Sequence, residues 1–355
     1  MRTIDKTKPV MVTGATGYVA GWLVKKLLEE GITVHAAVRN PDKKDKVAHL
    51  DKIAAASSAE IKYFKADLLE EGAYAEAMKG CEVVFHTASP FTSNFKDAQR
   101  DLVDPAVKGT ANVLNSAKAT PSVKRIIVTS SVAAIYTDAI DAENAPGGIL
   151  TEDIWNTTSS LEYQPYSYSK VMAEKKAWEI AESQDQWDLV TVNPSLVMGP
   201  MLNAGGTTSE SFSILKSIGD GTMKMGVPQM GIGLVDVRDV ADAHFQAAFT
   251  PEAHGRYITS AHNTDFLKMA ETLLPKYGDT FPLPAKAIPK WLLMLIGPMA
   301  DKRFTRPFIK KNVNRNFQAD NTKIQKELGI KFRPMQETME DSFQVLVDDG
   351  ILKAK

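Results

Sequence analysis

The chain has 355 residues, 44% of them apolar and 24% charged, which suits one or two packed domains and excludes a mostly disordered chain. Lys plus Arg (42) nearly cancels Asp plus Glu (43), so no bulk charge draws nucleic acid or an acidic membrane. The single cysteine, Cys81, excludes an internal disulfide framework and a multi-cysteine zinc site. Met1 to Pro9 holds charged and polar residues without an apolar run, so the expected compartment is the cytoplasm.

In chain order, Pro9 to Gly14 predicts a strand running into a glycine turn. Residues 21–30 set Trp22, Leu23, Leu27 and Leu28 against Lys25, Lys26, Glu29 and Glu30, an amphipathic helix stopped by Gly31. Strands are expected at 33–38, 61–66, 82–86, 125–129 and 189–192. Helices are expected at 70–79, 101–117 and 170–182. Strands alternating with helices imply parallel βαβ units, an α/β fold with a doubly wound parallel sheet, and ligands beyond the strands' carboxyl ends.

After about Gly199 the pattern changes. Residues 202–211 are rich in Gly, Thr and Ser, the signature of a mobile loop, and prolines at 251, 275, 282, 284, 289, 298, 307 and 334 punctuate shorter elements. The expected organisation is a dinucleotide-binding domain over 1–198, with 234–250 returning to it as strand and helix. Residues 199–355 mainly form a smaller mixed α/β lobe over the substrate. Segment 291–300 is the most apolar, at about half the length that spans a bilayer. It reads as a short buried helix or a partner-facing surface. Six basic residues within 302–315 read as a solvated face or as a patch for an anionic ligand or partner.

Four motifs carry chemistry. In Thr13-Gly14-Ala15-Thr16-Gly17-Tyr18-Val19-Ala20, Gly14 permits a tight turn and Gly17 a close backbone approach. The helix that follows points free N–H groups at a pyrophosphate. Arg39 ends the second strand, where an NAD-preferring fold usually carries a carboxylate. With Lys43, Lys44 and Lys46 after it, Arg39 favours NADP(H) through the 2′-phosphate. Asp67, with Leu68 beside it, follows the third strand and can accept from an adenine amino group or cap the next helix. His86-Thr87-Ala88-Ser89-Pro90-Phe91 ends the fourth strand. Its small residues admit the cofactor, and His86 reads as a packed, hydrogen-bonded residue.

The fourth motif pairs Thr129-Ser130-Ser131 with Tyr166-Ser167-Tyr168-Ser169-Lys170. Tyr166 and Lys170, four apart at a helix start, share one face. Hydride arriving at a carbonyl carbon leaves negative charge on oxygen. A phenol can protonate that oxygen, a nearby ammonium lowers the phenol's pKa, and a serine can orient it. No metal-binding histidine spacing is present, and no Gly-x-Ser-x-Gly elbow marks a hydrolase.

Taken together, Val12 to Tyr18, Val38-Arg39, His86 to Phe91, Thr129 to Ser131, Tyr166-x-x-x-Lys170, Asn193 to Pro200 and Val235 to Ala241 resemble the extended short-chain dehydrogenases/reductases. The likeness covers roughly residues 8 to 260. Within that family it is to the branch of dihydroflavonol reductase, cinnamoyl-CoA reductase and yeast-type aldehyde or methylglyoxal reductase. Leu328 to Pro334 also looks like that branch's ending.

The resemblance implies a Rossmann sheet, NADPH, and reversible reduction of an aldehyde or ketone. Tyr166 would be the acid/base and Lys170 its tuning residue on the nicotinamide ribose. Ser131 would orient the substrate. Thr16, Gly17, Tyr18 and Val19 would line the pyrophosphate, with Arg39 and Lys43 or Lys46 on the 2′-phosphate. Thr87, Ala88, Ser89 and Thr129 join the cofactor set, and Pro194, Ser195 and Val197 would pass beside the nicotinamide amide. Phe91, Tyr136, Tyr163 and Leu196 would wall the substrate pocket. The partner is then a small carbonyl compound, with no nucleic acid or membrane, and the chain a monomer or homodimer. Two departures stand out: Ala20 as the third small residue of the turn, and a 281–315 segment longer than in yeast and plant relatives. The rival readings are a nucleotide-sugar epimerase or dehydratase and a non-catalytic NADP sensor.

Overall fold

The computed structural model describes residues 2–89, 95–203, 209–300 and 303–354. β1 (Val10–Thr13), α1 (Tyr18–Glu29), β2 (Val34–Val38), α2 (Lys44–Ala55) and β3 (Ile61–Lys65) open the chain. α3 (Ala75–Met78), β4 (Val83–His86), α4 (Asp104–Lys118) and β5 (Arg125–Thr129) follow, with a π-turn at Gln99–Val103 leading into α4. Next come α5 (Ala139–Asn144), α6 (Pro165–Glu182), β6 (Asp188–Pro194), β7 (Leu196–Met198), α7 (Glu210–Gly219), β8 (Val227–Pro228), β9 (Gly231–Asp236) and α8 (Val237–Phe249). The chain closes with β10 (Gly255–Thr259), β11 (His262–Asp265), α9 (Phe266–Glu271), α10 (Leu274–Tyr277), β12 (Ala287–Ile288), α11 (Lys290–Ala300), α12 (Arg306–Asn312), α13 (Thr322–Leu328) and α14 (Met335–Asp348).

Seven strands form one parallel sheet in the order β10-β6-β5-β4-β1-β2-β3. Alternation along the strands explains its two cores. Val10, Val12, Val34, Ala36, Val83, Phe85, Ile127, Val190 and Val192 pack with α1 and α8 on one face. Met11, Ala37, Val84, Ile126, Val128 and Leu189 pack with α4 and α6 on the other. A second sheet, β11-β9-β7, mixes parallel and antiparallel pairs and forms the smaller lobe with α7, α9 and α14 around Leu234, Met269 and Phe343.

The doubly wound sheet and the mixed smaller lobe are as expected, and the differences have local causes. The helix expected over 70–79 is only Ala75–Met78, because Gly72 adopts φ +75° and breaks the turn before it. No helix is expected over 44–55, yet α2 starts at Lys44, with Val47 and Leu50 as its buried edge. The strand expected to return to the large sheet, β9, joins the small sheet. Only α8 returns, against α1, and the edge of the large sheet is β10, which no motif announced. Ile324, Leu328 and Ile330 also lie in the large-sheet core, so the chain crosses between the two bodies more than once.

Candidate active site

The cofactor end is built at the carboxyl tips of β1 and β4. Gly14 adopts φ +60°, and a Cβ there would come within 3.1 Å of the Ala88 Cβ, so glycine is needed for both conformation and space. Gly17 N donates to Gly14 O at 2.9 Å, closing the turn, and Gly17 then caps α1 with no side chain over the helix end. Thr13 Oγ1 accepts from Thr87 N and Ala88 N, both at 3.0 Å, while Thr87 Oγ1 donates to Thr13 O, which fixes the two strand tips together. His86 is buried between Thr13 Oγ1 (3.1 Å) and Thr110 Oγ1 (3.3 Å). Burial and then the Lys170 charge push its pKa down to about 3, so it is a neutral packing residue, as expected.

A cleft of about 610 Å³ runs from this turn to the start of α6, lined by Thr16, Gly17, Tyr18, Arg39, Lys46, Tyr166 and residues of the smaller lobe. Tyr18 OH donates to Gly199 O at 2.7 Å and Trp22 Nε1 to Pro200 O at 2.8 Å, which ties α1 to the segment leaving β7. Val19 sits in the first turn of α1. Lys43 is exposed ahead of α2 and does not line the cleft. Neither do Asp67 and Leu68. Asp67 Oδ1 accepts from Leu69 N at 2.9 Å, capping a turn, and Leu68 packs on Gly109 with its carbonyl held by Asn112.

At the other end, Gln164 takes a left-handed φ of 55° and Pro165 occupies the first turn of α6, so the helix begins just before Tyr166. Lys170 follows one turn later with Nζ 5.7 Å from the Tyr166 ring centre, and it donates to Ser89 Oγ at 2.9 Å. Tyr166 is 37% exposed; partial desolvation and then repulsion from the Glu210 carboxylate raise its phenol to about 12, in place of the lowering expected from Lys170. Burial lowers the Lys170 ammonium to about 8, against the opposing pull of Glu174. Ser131 Oγ accepts from Ala133 N at 3.1 Å, capping the short Val132–Ala134 turn.

Ser131 and Lys170 do not line the cleft, and neither do the remaining expected residues among those described. Thr129 Oγ1 lies 2.6 Å from His244 Nε2. Pro194 ends β6, and Leu196 and Val197 form β7. Ser195, between them, has a buried hydroxyl with no hydrogen-bond partner. Tyr136 packs on Phe317, with ring centres 5.1 Å apart. The Tyr163 hydroxyl is committed to the Asp138 carboxylate at 2.9 Å, with Lys311 over its ring. Phe91 lies outside the described residues.

Two features escaped the sequence reading. The cleft also takes in His49, Met201, Leu202, Asn203, Ser209 and Glu210. His49 Nδ1 is buried without a partner. The signal for Ser209 was its position as a helix cap, with its hydroxyl accepting from Phe212 N. Glu174 is fully buried, two turns after Tyr166 on α6. It accepts from Ser130 Oγ, from Asn193 Nδ2 at 2.8 Å and from Arg256 Nε at 2.7 Å. Asn193 Nδ2 also reaches Ser131 O at 3.2 Å, so one carboxylate joins α6 to the tips of β5, β6 and β10.

A parallel sheet, a glycine turn with an uncovered helix end and a cleft opening over both define a Rossmann-type dinucleotide-binding protein. Residues 10–258 match the NAD dependent epimerase/dehydratase family. The chain belongs to that family, within the extended short-chain dehydrogenases/reductases and on their reductase branch. It is 36% identical to cinnamoyl-CoA reductase CAD2 of Medicago truncatula over 343 residues, 95% of each chain. It is also 36% identical to tetraketide alpha-pyrone reductase 1 of Arabidopsis thaliana, over 98% of each. The structure of yeast methylglyoxal/isovaleraldehyde reductase Gre2 complexed with NADPH superposes with a TM-score of 0.75 at 27% identity, covering 96% of this chain and 99% of that one.

Proposed function

We propose that this chain reduces an aldehyde or ketone to the alcohol with NADPH, reversibly, and that Tyr166 delivers the proton. The observation that carries the reading is the continuous cleft with Arg39 and Lys46 at one end and Tyr166 at the other. The donor set fits a 2′-phosphorylated dinucleotide. Gly14 and Gly17 leave room for a pyrophosphate over the end of α1, and Arg39 presents a fork of donors suited to a phosphate. Bound NADPH supplies a hydride to the carbonyl carbon.

The chain's own residues do the rest. Tyr166, held as the neutral phenol, donates its proton to the carbonyl oxygen as charge builds there. Lys170 brings a positive charge beside the phenol, favours the phenolate left behind and reaches toward the cofactor side through Ser89. Ser131 orients the carbonyl oxygen. Residues 1–198, with α8, β10 and α13 packed on them, serve as the cofactor domain, and most of 199–355 covers the substrate.

The test is consumption of reduced nicotinamide, from NADPH and NADH separately, with an aromatic aldehyde, methylglyoxal, an aliphatic diketone and a β-keto ester. NADPH consumption with at least one carbonyl, faster than with NADH, is the expected result. No consumption by a protein that binds the cofactor, together with turnover of a nucleotide sugar, would overturn it.

A further inference from the structure

The long segment that the function leaves unused forms a surface of its own. On α11, Leu293 is 6% exposed and packs with Ile309 and Val313, while Gly297 lies against Ile309 and Phe304. The outer side is apolar too. Trp291 is 66% exposed, Leu295 60%, Ile296 44% and Met299 90%. Positions 291, 295 and 299 repeat every four residues, so they form one stripe along the helix.

The segment that carries the stripe is basic. Residues 281–319 contain eight Lys or Arg and one Asp, in a chain whose net charge is −1. Three of these cations pair back onto the body: Arg303 with Glu210, Lys311 with Asp138 and Arg315 with Glu143. Lys286, Arg306 and Lys310 are exposed and make no ion pair among the described residues. α12, which carries Arg306 and Lys310, lies alongside α11, where Lys290 Nζ donates to Lys310 O and Val313 O. Met225, also exposed at 71%, precedes Gly226, which packs on the Lys286 carbonyl.

This charge pattern selects the occupant. A second copy docked by the same face would bring two positive segments together, which is unfavourable. An apolar stripe with a tryptophan, on a helix too short to cross a bilayer and in a segment rich in lysine and arginine, matches the interface of an anionic lipid surface. We propose that this face docks reversibly on an anionic bilayer, with Trp291, Leu295, Ile296 and Met299 entering the acyl boundary and Lys286, Arg306 and Lys310 meeting headgroup phosphates.

The experiment is co-sedimentation of the full chain with vesicles of phosphatidylcholine, with and without about one-third phosphatidylglycerol. Preferential binding to the anionic vesicles, weakened by salt, is the expected result. Leu295→Glu/Met299→Glu should lower the vesicle partition coefficient about tenfold or more, and Arg306→Glu/Lys310→Glu severalfold on anionic vesicles only. All four side chains are exposed, so both variants should keep the wild-type melting temperature, which shows that they fold. Absence of wild-type binding, or equal binding to neutral and anionic vesicles, overturns the proposal. So does a solution dimer, or a complex with an acidic protein, that Leu295→Glu/Met299→Glu abolishes while vesicles remain unbound.

Discussion

A phenol held neutral up to about 12 and an ammonium lowered to about 8 sit one helical turn apart at the start of α6. If Tyr166 is the proton donor, Tyr166→Phe should cut kcat by about 10²–10⁴-fold. NADPH affinity, measured by fluorescence titration, should barely change. A variant with full turnover would remove Tyr166 from the mechanism. At the opposite end, Arg39→Ala should raise the Michaelis constant for NADPH by about ten- to a hundredfold, the loss of charge-assisted bonds to a phosphate, and leave that for NADH nearly unchanged. Equal effects on both cofactors would refute the 2′-phosphate role. Both positions were visible in the sequence because each depends on local order: Arg39 directly follows a strand, and Tyr166 and Lys170 share a helix face. His49 and Glu210 were not visible, since nothing near them in the chain announces the cleft they line.

At the scale of elements, one buried carboxylate ties α6 to the sheet beside its apolar packing. Glu174 is 0% exposed and its partner Arg256 7%, and each leaves the other uncompensated if removed. Glu174→Ala should therefore lower unfolding free energy by about 3–5 kcal/mol, read from urea unfolding. Glu174→Gln, which keeps the shape and part of the hydrogen bonding, should lose less. Equal, small losses in both would mean that the network carries no load. This network was illegible in the sequence because Arg256 is 82 positions away and its strand, β10, was itself unforeseen. The same holds for α3, where one left-handed glycine outweighed a helical pattern, and for α2, whose lysines disguised an amphipathic helix.

Across the whole molecule, burial lowers the pKa of four histidines, His35, His49, His86 and His244, and so holds them neutral. Burial pushes His86 down to about 3 and His244 down to about 4, both below the usual 6.5. Their contribution to stability is complete above about 6.5 and is lost as pH falls toward the folded values, because only the unfolded chain takes up the protons. Each adds a slope approaching ~1.4 kcal/mol per pH unit. Asp239 works in the opposite direction. Burial raises it to about 6, so its contribution is present below about 3.8 and lost as pH rises through about 6, offsetting one histidine. Unfolding free energy should thus be lower at about pH 5 than at about pH 7, and His86→Gln/His244→Gln should flatten or reverse that difference. An unchanged slope in the double variant would show that these side chains are not the source.

The sequence by itself determined what neighbouring residues decide: the glycine turn, the strand and helix alternation that yields a doubly wound sheet, and the Tyr166 and Lys170 spacing. These follow from backbone freedom and side-chain periodicity within a few residues. Tertiary structure alone decided that β10 rather than β9 completes the large sheet, that Glu174 meets Arg256, and that α11 buries Leu293 while exposing Trp291 and Met299. An edge strand, a buried ion pair and the outward face of an all-apolar helix each depend on which distant segment arrives to cover them, and no local pattern encodes that.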